Sequence, residues 1–219
     1  MIIMHNDTLV VLIHGFCRTA ENMQFWRKSL CDDFPHIITP DLPATHSSFE
    51  ECLEVLSRSI AAAHPEKYKR LYFACHSMGG LLARAYLAKY KPQNAERLVC
   101  VGTPHRGSVL ADIALLLPGA GLIWQPLKAL KTSARKTIVS PDIAGLEIGV
   151  VIGTNNAHWP GKLFLSKSAD GLVESSSAYA PDAKCKVYTQ VPHAPMPYAE
   201  ETARLIKKFF SYKINTSIK

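Results

Sequence analysis

The sequence predicts an α/β protein in which helices cover both faces of a mostly parallel central sheet of about six strands. Two observations lead to this prediction. The 219 residues are 47% hydrophobic and 20% charged, which is enough apolar content to bury one sizeable core. Short β-branched runs also alternate along the chain with segments of helical periodicity, as in a parallel sheet. With no repeat or composition break, residues 1–219 are expected to form a single domain.

Six short apolar runs predict the strands. The first, Leu-Val-Val-Leu-Ile at 9–13, is continuous and ends at His14-Gly15, which is typical of a strand buried on both faces. The remaining five are predicted at 37–39, 71–75, 98–101, 148–152 and 185–188.

Four segments between or after these strands predict helices. After Thr19, apolar residues recur at helical spacing. Ser48 and Glu51 form a capping box in front of a single apolar stripe. Two more helices are predicted at 78–89 and 199–210.

The strongest functional signal is the segment Ala74-Cys75-His76-Ser77-Met78-Gly79-Gly80, between a predicted strand and a predicted helix. A serine on such a sharp turn has its hydroxyl held clear of the sheet, and the turn needs small residues two positions before and after the serine. Gly79 meets this need, and Cys75 stands where glycine is usual, which should crowd the turn slightly. The alternative is an ordinary turn that contains a serine.

This segment resembles the nucleophile turn of the α/β-hydrolase family, and more narrowly of its compact lipase and esterase branch. Residues 12–16 (Leu-Ile-His-Gly-Phe) resemble the family's oxyanion segment, and residues 168–173 (Ser-Ala-Asp-Gly-Leu-Val) resemble its acid loop. Residues 102–108 (Gly-Thr-Pro-His-Arg-Gly-Ser) resemble a loop of lipases and lipid-anchor deacylases. The resemblance covers nearly the whole chain and implies an α/β-hydrolase fold. We expect no cofactor and no metal.

The family's order of nucleophile, acid and base implies that the base follows Ser77 in the chain. His193 comes just after the last predicted strand, where the family places its base. His105 and His158 are the alternatives; we expect His105 to line the pocket and His158 to bond nearby backbone.

The acid must lie between Ser77 and the base. Asp170 follows the fifth predicted strand and begins an Asp-Gly turn, so its carboxylate is expected to point inward at the edge of the sheet. Asp142 and Asp182, each after a proline, are the main alternatives.

The resemblance also implies the remaining site residues. The backbone N–H groups of Phe16 and Met78 are expected to bind the developing oxyanion. The substrate pocket is expected to include His14, Gly15, His76, His105 and Leu172.

Much of the excess positive charge of the chain is concentrated in one segment. The net charge is +7, and a stretch without acidic residues, 113–141, contains Lys128, Lys131, Arg135 and Lys136. Just before them, 11 of the 15 residues at 109–123 are apolar, in a run too short and interrupted to cross a bilayer. We predict that 108–141 is an apolar cap with a cationic rim; an ordinary core helix with solvated lysines is the alternative.

These features predict a serine hydrolase that cleaves esters of apolar acyl groups through an acyl-Ser77 intermediate. A thioesterase or acyltransferase with the same triad, or a non-catalytic lipid- or partner-binding protein, are the alternatives. The expected partners are a lipid or other ester substrate and, peripherally, an anionic lipid surface. Nucleic-acid binding is not expected, because few aromatics accompany the basic residues. The N-terminus has no signal-peptide pattern, so we expect a cytoplasmic location.

Overall fold

The computed structural model describes residues 5–157, 159 and 161–211, and within them the predicted sheet is confirmed. Six strands pair in the order β2-β1-β3-β4-β5-β6, and every neighbouring pair is parallel. Their bounds are β1 Thr8–Ile13, β2 His36–Ile38, β3 Arg70–His76, β4 Ala95–Val101, β5 Glu147–Gly153 and β6 Cys185–Thr189.

The described part of the chain contains nine α-helices, several of them only one turn long. They are α1 Gln24–Leu30, α2 Phe49–Ala62, α3 Met78–Tyr90, α4 Val109–Ala114, α5 Ala120–Ile123, α6 Leu127–Leu130, α7 Gly161–Phe164, α8 Ser175–Ala178 and α9 Glu200–Ser211. The predicted capping box starts α2: the Ser48 hydroxyl accepts the Glu51 N–H, and the Glu51 carboxylate accepts the Ser48 N–H.

Helices cover both faces of the sheet, as predicted, because successive strand side chains point to opposite faces. Val10 and Leu12 of β1 pack with Trp26 of α1 and Phe210 of α9 in one core. The other strand face packs against α2 and α3 in a second core that contains Leu9, Val11, Ile13, Leu56 and Leu82. Each fully buried large apolar side chain contributes about 1.5–3 kcal/mol to the free energy of folding.

A parallel sheet brings the carboxyl ends of its strands to one edge, and ligands bind there. The loops that carry the predicted site residues leave that edge from β1, β3, β4, β5 and β6. Gly102 and His193 illustrate the convergence: a Cβ added at Gly102, after β4, would lie 3.1 Å from the His193 ring, after β6.

The segment between β4 and β5 contains α4, α5, α6 and a 3-10 turn at Thr132–Arg135. We call residues 108–141 the insertion. Its far end is tied to α3, because the buried Arg84 guanidinium donates to the Val139 carbonyl and forms a bidentate pair with Asp182. Across all helices in the described ranges, none has the length and apolar character needed to cross a bilayer.

Candidate active site

Ser77 occupies the sharp turn that the sequence predicts. Strand β3 ends at His76 and α3 begins at Met78, so a single residue reverses the chain direction. Ser77 has φ 54° and ψ −125°, in a region that residues other than glycine rarely occupy. Its N–H donates to the Val101 carbonyl at 2.9 Å, which fixes the turn against β4. Strain of this kind costs about 1–3 kcal/mol and is concentrated at functional sites.

Two glycines allow the chain to pack closely around this turn. A Cβ at Gly15 would lie 2.8 Å from the Ser77 Cβ, and one at Gly79 would lie 2.5 Å from the Ile13 carbonyl oxygen. Cys75, which stands where glycine is usual, is fully buried in the core that faces α2 and α3. The loop after β1 therefore lies directly against Ser77.

Asp170 and His193 form a buried pair. The His193 Nδ1 and the Asp170 Oδ2 are 2.7 Å apart, and the His193 N–H donates to the Asp170 carbonyl at 2.9 Å. The other carboxylate oxygen of Asp170 accepts the N–H groups of Leu172 and Val173 at 3.0 and 2.8 Å. A carboxylate held in this way keeps a proton on Nδ1, so that Nε2 is free to accept one.

Ser77 and His193 line the same cavity, but within the described residues they are not hydrogen-bonded to each other. Hydrogen bonds between a nucleophile and its base are often loose without substrate and tighten in the substrate complex.

The alternative acids do not contact His193. Asp182 is engaged by Arg84, whose hydrogen bonds lower the pKa of this carboxyl against the opposing effect of burial. The Asp142 side chain is 97% exposed and lies near Lys91. His158, an alternative base, is outside the described residues.

His76 connects the turn at Ser77 to His193. Its Nε2 donates to the His193 carbonyl at 3.1 Å, and the two rings lie 4.8 Å apart. Burial is the main reason why the pKa of His76 is well below its usual value, so the ring is neutral near pH 7. His76 therefore positions the backbone of His193 relative to Ser77.

A cavity of about 410 Å³ opens beside Ser77. The insertion contributes Leu110, Ala111, Ala114, Trp124, Leu127 and Leu130 to its lining. Leu172 and Val173 come from the loop that carries Asp170, and Phe16, Cys17 and Arg18 come from the loop after β1. His76 and Leu172 thus lie where the sequence predicts, in the cavity wall.

The structure places three expected pocket residues elsewhere. The buried His14 ring accepts the Leu42 N–H at Nε2 (3.0 Å) and donates to the Gly15 carbonyl from Nδ1 (3.1 Å). It therefore holds the loop after β1 against the segment that contains Leu42. Burial lowers the pKa of His14. Gly15 contacts Ser77 without lining the cavity.

His105 is also buried away from the cavity. Neither of its ring nitrogens has a partner among the described residues, and burial lowers the pKa of His105 to about 3. The His105 ring is therefore neutral near pH 7 and does not line the cavity.

The predicted oxyanion donors lie beside Ser77. Met78 begins α3 immediately after the serine, where backbone N–H groups of a helix have no intrahelical acceptor. The Phe16 N–H donates to no acceptor in the described part of the chain, and the Phe16 side chain lines the cavity. Both N–H groups are therefore available to a substrate oxygen.

Sequence reasoning missed Cys17, Arg18 and Pro104 as cavity residues. Cys17 and Arg18 directly follow the oxyanion segment and Pro104 lies within the 102–108 loop, and these positions were the sequence signal that could have placed them in the cavity.

In the described ranges, no group of three or more histidine, cysteine or acidic side chains is placed to hold a metal ion.

Comparison with protein families gives a match over most of the chain. A family model described as "Alpha/beta hydrolase family" matches residues 10–205. No curated protein gives a significant match.

Solved structures with the same architecture include a lipase, a carboxyl esterase and a phospholipase. The mature lipase BlEst2 of Bacillus licheniformis is 16% identical with a TM-score of 0.66, over 92% of this chain and 95% of that one. A metagenomic carboxyl esterase, MGS0156, is 16% identical with a TM-score of 0.70, over 95% of this chain and 71% of that one. Phospholipase PlaB of Legionella pneumophila is 12% identical with a TM-score of 0.67, over 95% of this chain and 59% of that one. At these identities the likeness concerns the fold.

Proposed function

Because the chain belongs to the alpha/beta hydrolase family, we propose that it is a serine hydrolase that cleaves carboxylic esters of apolar acyl groups. Ser77 is the nucleophile, His193 the general base and Asp170 the residue that orients the base. The main support is the buried contact of 2.7 Å between Asp170 and His193, at a cavity that Ser77 also lines.

The reaction proceeds in two stages. The Ser77 Oγ attacks the ester carbonyl carbon while His193 Nε2 accepts the hydroxyl proton. The C–O bond to the alcohol then breaks, and His193 donates its proton to the leaving oxygen. In the second stage a water molecule attacks the acyl-Ser77 ester with His193 again as base, which releases the carboxylic acid and restores Ser77.

The oxyanion of each tetrahedral intermediate is stabilised by the backbone N–H groups of Phe16 and Met78. A single preorganised donor contributes about 10²–10³ in rate. These groups belong to the loop after β1 and to the first residue of α3, so the packing of Gly15 against Ser77 sets their separation.

The cavity supports a preference for apolar acyl groups. Most of its wall is aliphatic or aromatic, and much of that wall comes from the insertion. Each methylene group transferred from water into such a cavity contributes about 0.8 kcal/mol to the free energy of binding.

A thioesterase or an acyltransferase would use the same residues with a different leaving group or second nucleophile. A purely binding protein has no need for the Asp170–His193 pair.

We predict that kcat/KM on p-nitrophenyl esters rises about fourfold for each added methylene until the cavity is filled. The variant Ala114→Phe, which places a ring in the cavity wall, should shift the preferred chain length to shorter esters. Ala61→Phe, on the exposed side of α2, is the matched control and should keep the wild-type profile. Folded wild-type protein that hydrolyses none of these esters would overturn the proposed function.

The insertion also supports a peripheral lipid partner. Leu116, Leu117 and Leu122 are 81%, 61% and 78% exposed, which is unusual for leucine and disfavours the alternative of an ordinary core helix. Lys128 and Lys131 border the same shallow groove as these leucines. We call these five residues the insertion surface. Exposed apolar side chains flanked by lysines are complementary to an anionic lipid surface.

We predict that the protein sediments with vesicles containing phosphatidylserine and binds neutral phosphatidylcholine vesicles more weakly. Replacing Leu116 and Leu122 together by serine should weaken binding to both vesicles about tenfold to a hundredfold, since both leucines lose their apolar area. Replacing Lys128 and Lys131 by glutamine should abolish the preference for the anionic vesicles. Tyr188→Ser, at an exposed position of β6, is the control. Equal binding by all variants would show that the insertion surface does not contact lipid.

A further inference from the structure

The cavity beside Ser77 contains one permanently charged side chain among the described residues that line it. That side chain is Arg18, in the loop after β1. The rest of the wall is apolar or carries groups already assigned to the reaction, such as Ser77 and His193. Arg18 is half-buried in this wall, so its charge is only partly solvated and a bound anion can supply the partner that it lacks.

Arg18 has no acidic partner among the residues that the structure describes. Across these ranges no carboxylate forms an ion pair with it, and its guanidinium makes no hydrogen bond. The acidic side chain of the adjoining 40–43 segment, Asp41, instead accepts the Ala20 N–H at 2.8 Å and lies 3.7 Å from His14. The five N–H donors of the half-buried guanidinium are therefore available to a bound molecule.

Arg18 lines the same cavity as Ser77 and Phe16. Arg18 follows the oxyanion donor Phe16 by two residues, so their α-carbons are at most about 7 Å apart. The positive charge of Arg18 also contributes, after burial and the neighbouring His193, to the low pKa of His76, the residue next to Ser77. A group bound to Arg18 would thus lie near the scissile bond.

We propose that the physiological ester carries an anionic oxygen group, a phosphate or a carboxylate, on its alcohol portion, and that Arg18 binds this group. The inference rests on the proposed ester hydrolase function. The acyl chain occupies the aliphatic wall, where a charge would be costly, so the anionic group belongs to the leaving alcohol. The planar guanidinium binds either oxygen group through two parallel hydrogen bonds.

The test compares esters that share one acyl group and differ in the charge of the alcohol. One pair is 4-nitrophenyl butyrate and 3-carboxy-4-nitrophenyl butyrate; the other is the butyryl ester of glycerol and that of glycerol phosphate. For each pair the measured quantity is the ratio of kcat/KM for the anionic ester to that for the neutral ester. We expect Arg18→Gln to lower this ratio about tenfold, through KM, and Arg18→Lys to restore part of it.

The two pairs distinguish the source of the anion: a larger effect on the glycerol phosphate ester identifies a phosphate, and a larger effect on the carboxyphenyl ester identifies a carboxylate. Arg106→Gln is the matched control, because Arg106 is exposed and does not line the cavity, and its ratio should equal that of the wild type. An unchanged ratio in Arg18→Gln, or an equal loss for charged and neutral esters, would overturn the role of Arg18 while leaving the hydrolase intact. A wild-type protein inactive on all four esters would overturn the proposed function itself.

Discussion

Replacing Ser77 with alanine is expected to lower kcat for ester hydrolysis by about 10⁶, the full contribution of a serine nucleophile and its base acting as a unit. The change removes one hydroxyl group and keeps the Cβ against which Gly15 packs, so the turn should persist. The measurement is the rate of p-nitrophenol release at saturating substrate, together with the urea midpoint of unfolding to verify that the variant is folded.

Ser59→Ala is the matched control for this substitution. Ser59 lies on α2, where its hydroxyl donates to the Val55 carbonyl, and it does not line the cavity. Its variant should hydrolyse the ester at the wild-type rate. A folded Ser77→Ala protein with a rate within tenfold of the wild type would mean that another group performs the attack.

The second large effect is expected for Asp170→Asn, which should lower kcat by about 10⁴. An amide nitrogen at the Oδ2 position favours the imidazole tautomer with Nδ1 unprotonated, so Nε2 carries the proton and does not accept one from Ser77. The neutral amide also no longer stabilises the imidazolium that forms during the reaction. The measurement is kcat for the same ester across a range of pH.

Asp142→Asn makes the same chemical change at an acid that the sequence leaves as an alternative. Its side chain is exposed, lies near Lys91 and does not line the cavity, so its variant should keep the wild-type rate. A near-wild-type rate for Asp170→Asn, or a large loss for Asp142→Asn, would show that Asp170 is not the acid.

The sheet and its main helices were predictable from local patterns. A strand buried on both faces requires an uninterrupted apolar run, as in β1, and the capping box of α2 is complete within four residues. The turn at Ser77 was predictable because its sequence signature is local: a serine between an apolar strand and a helix, with Gly79 two positions later.

Side-chain direction in the loops was less predictable. His14 and His105 both follow strands at the functional edge, and the sequence favours the pocket for both. The structure buries both rings. For His14 the cause is a contact distant in sequence, since the Leu42 N–H, 28 residues away, holds the ring. A single sequence carries no signal for such a contact.

The direction of the side chains in the insertion was also not predictable from the sequence. Its composition predicts an apolar cover, and six of its apolar side chains line the cavity. Its helices have only four to six residues, however, too few for a periodic pattern to separate the inward Leu127 from the outward Leu122. Arg18 was missed because an arginine in a loop is usually solvated, and only the shape of the cavity reveals what it faces.

An activated Ser77 nucleophile should react covalently with a fluorophosphonate probe. Incubation of the folded protein with the probe, followed by mass spectrometry of the intact chain and of its peptides, should find one adduct, on the peptide that contains Ser77. An ester substrate should slow the labelling, and Ser77→Ala should remain unlabelled. Absence of labelling in folded wild-type protein, or an adduct on another serine such as Ser108 of the cavity wall, would mean that Ser77 is not the activated nucleophile.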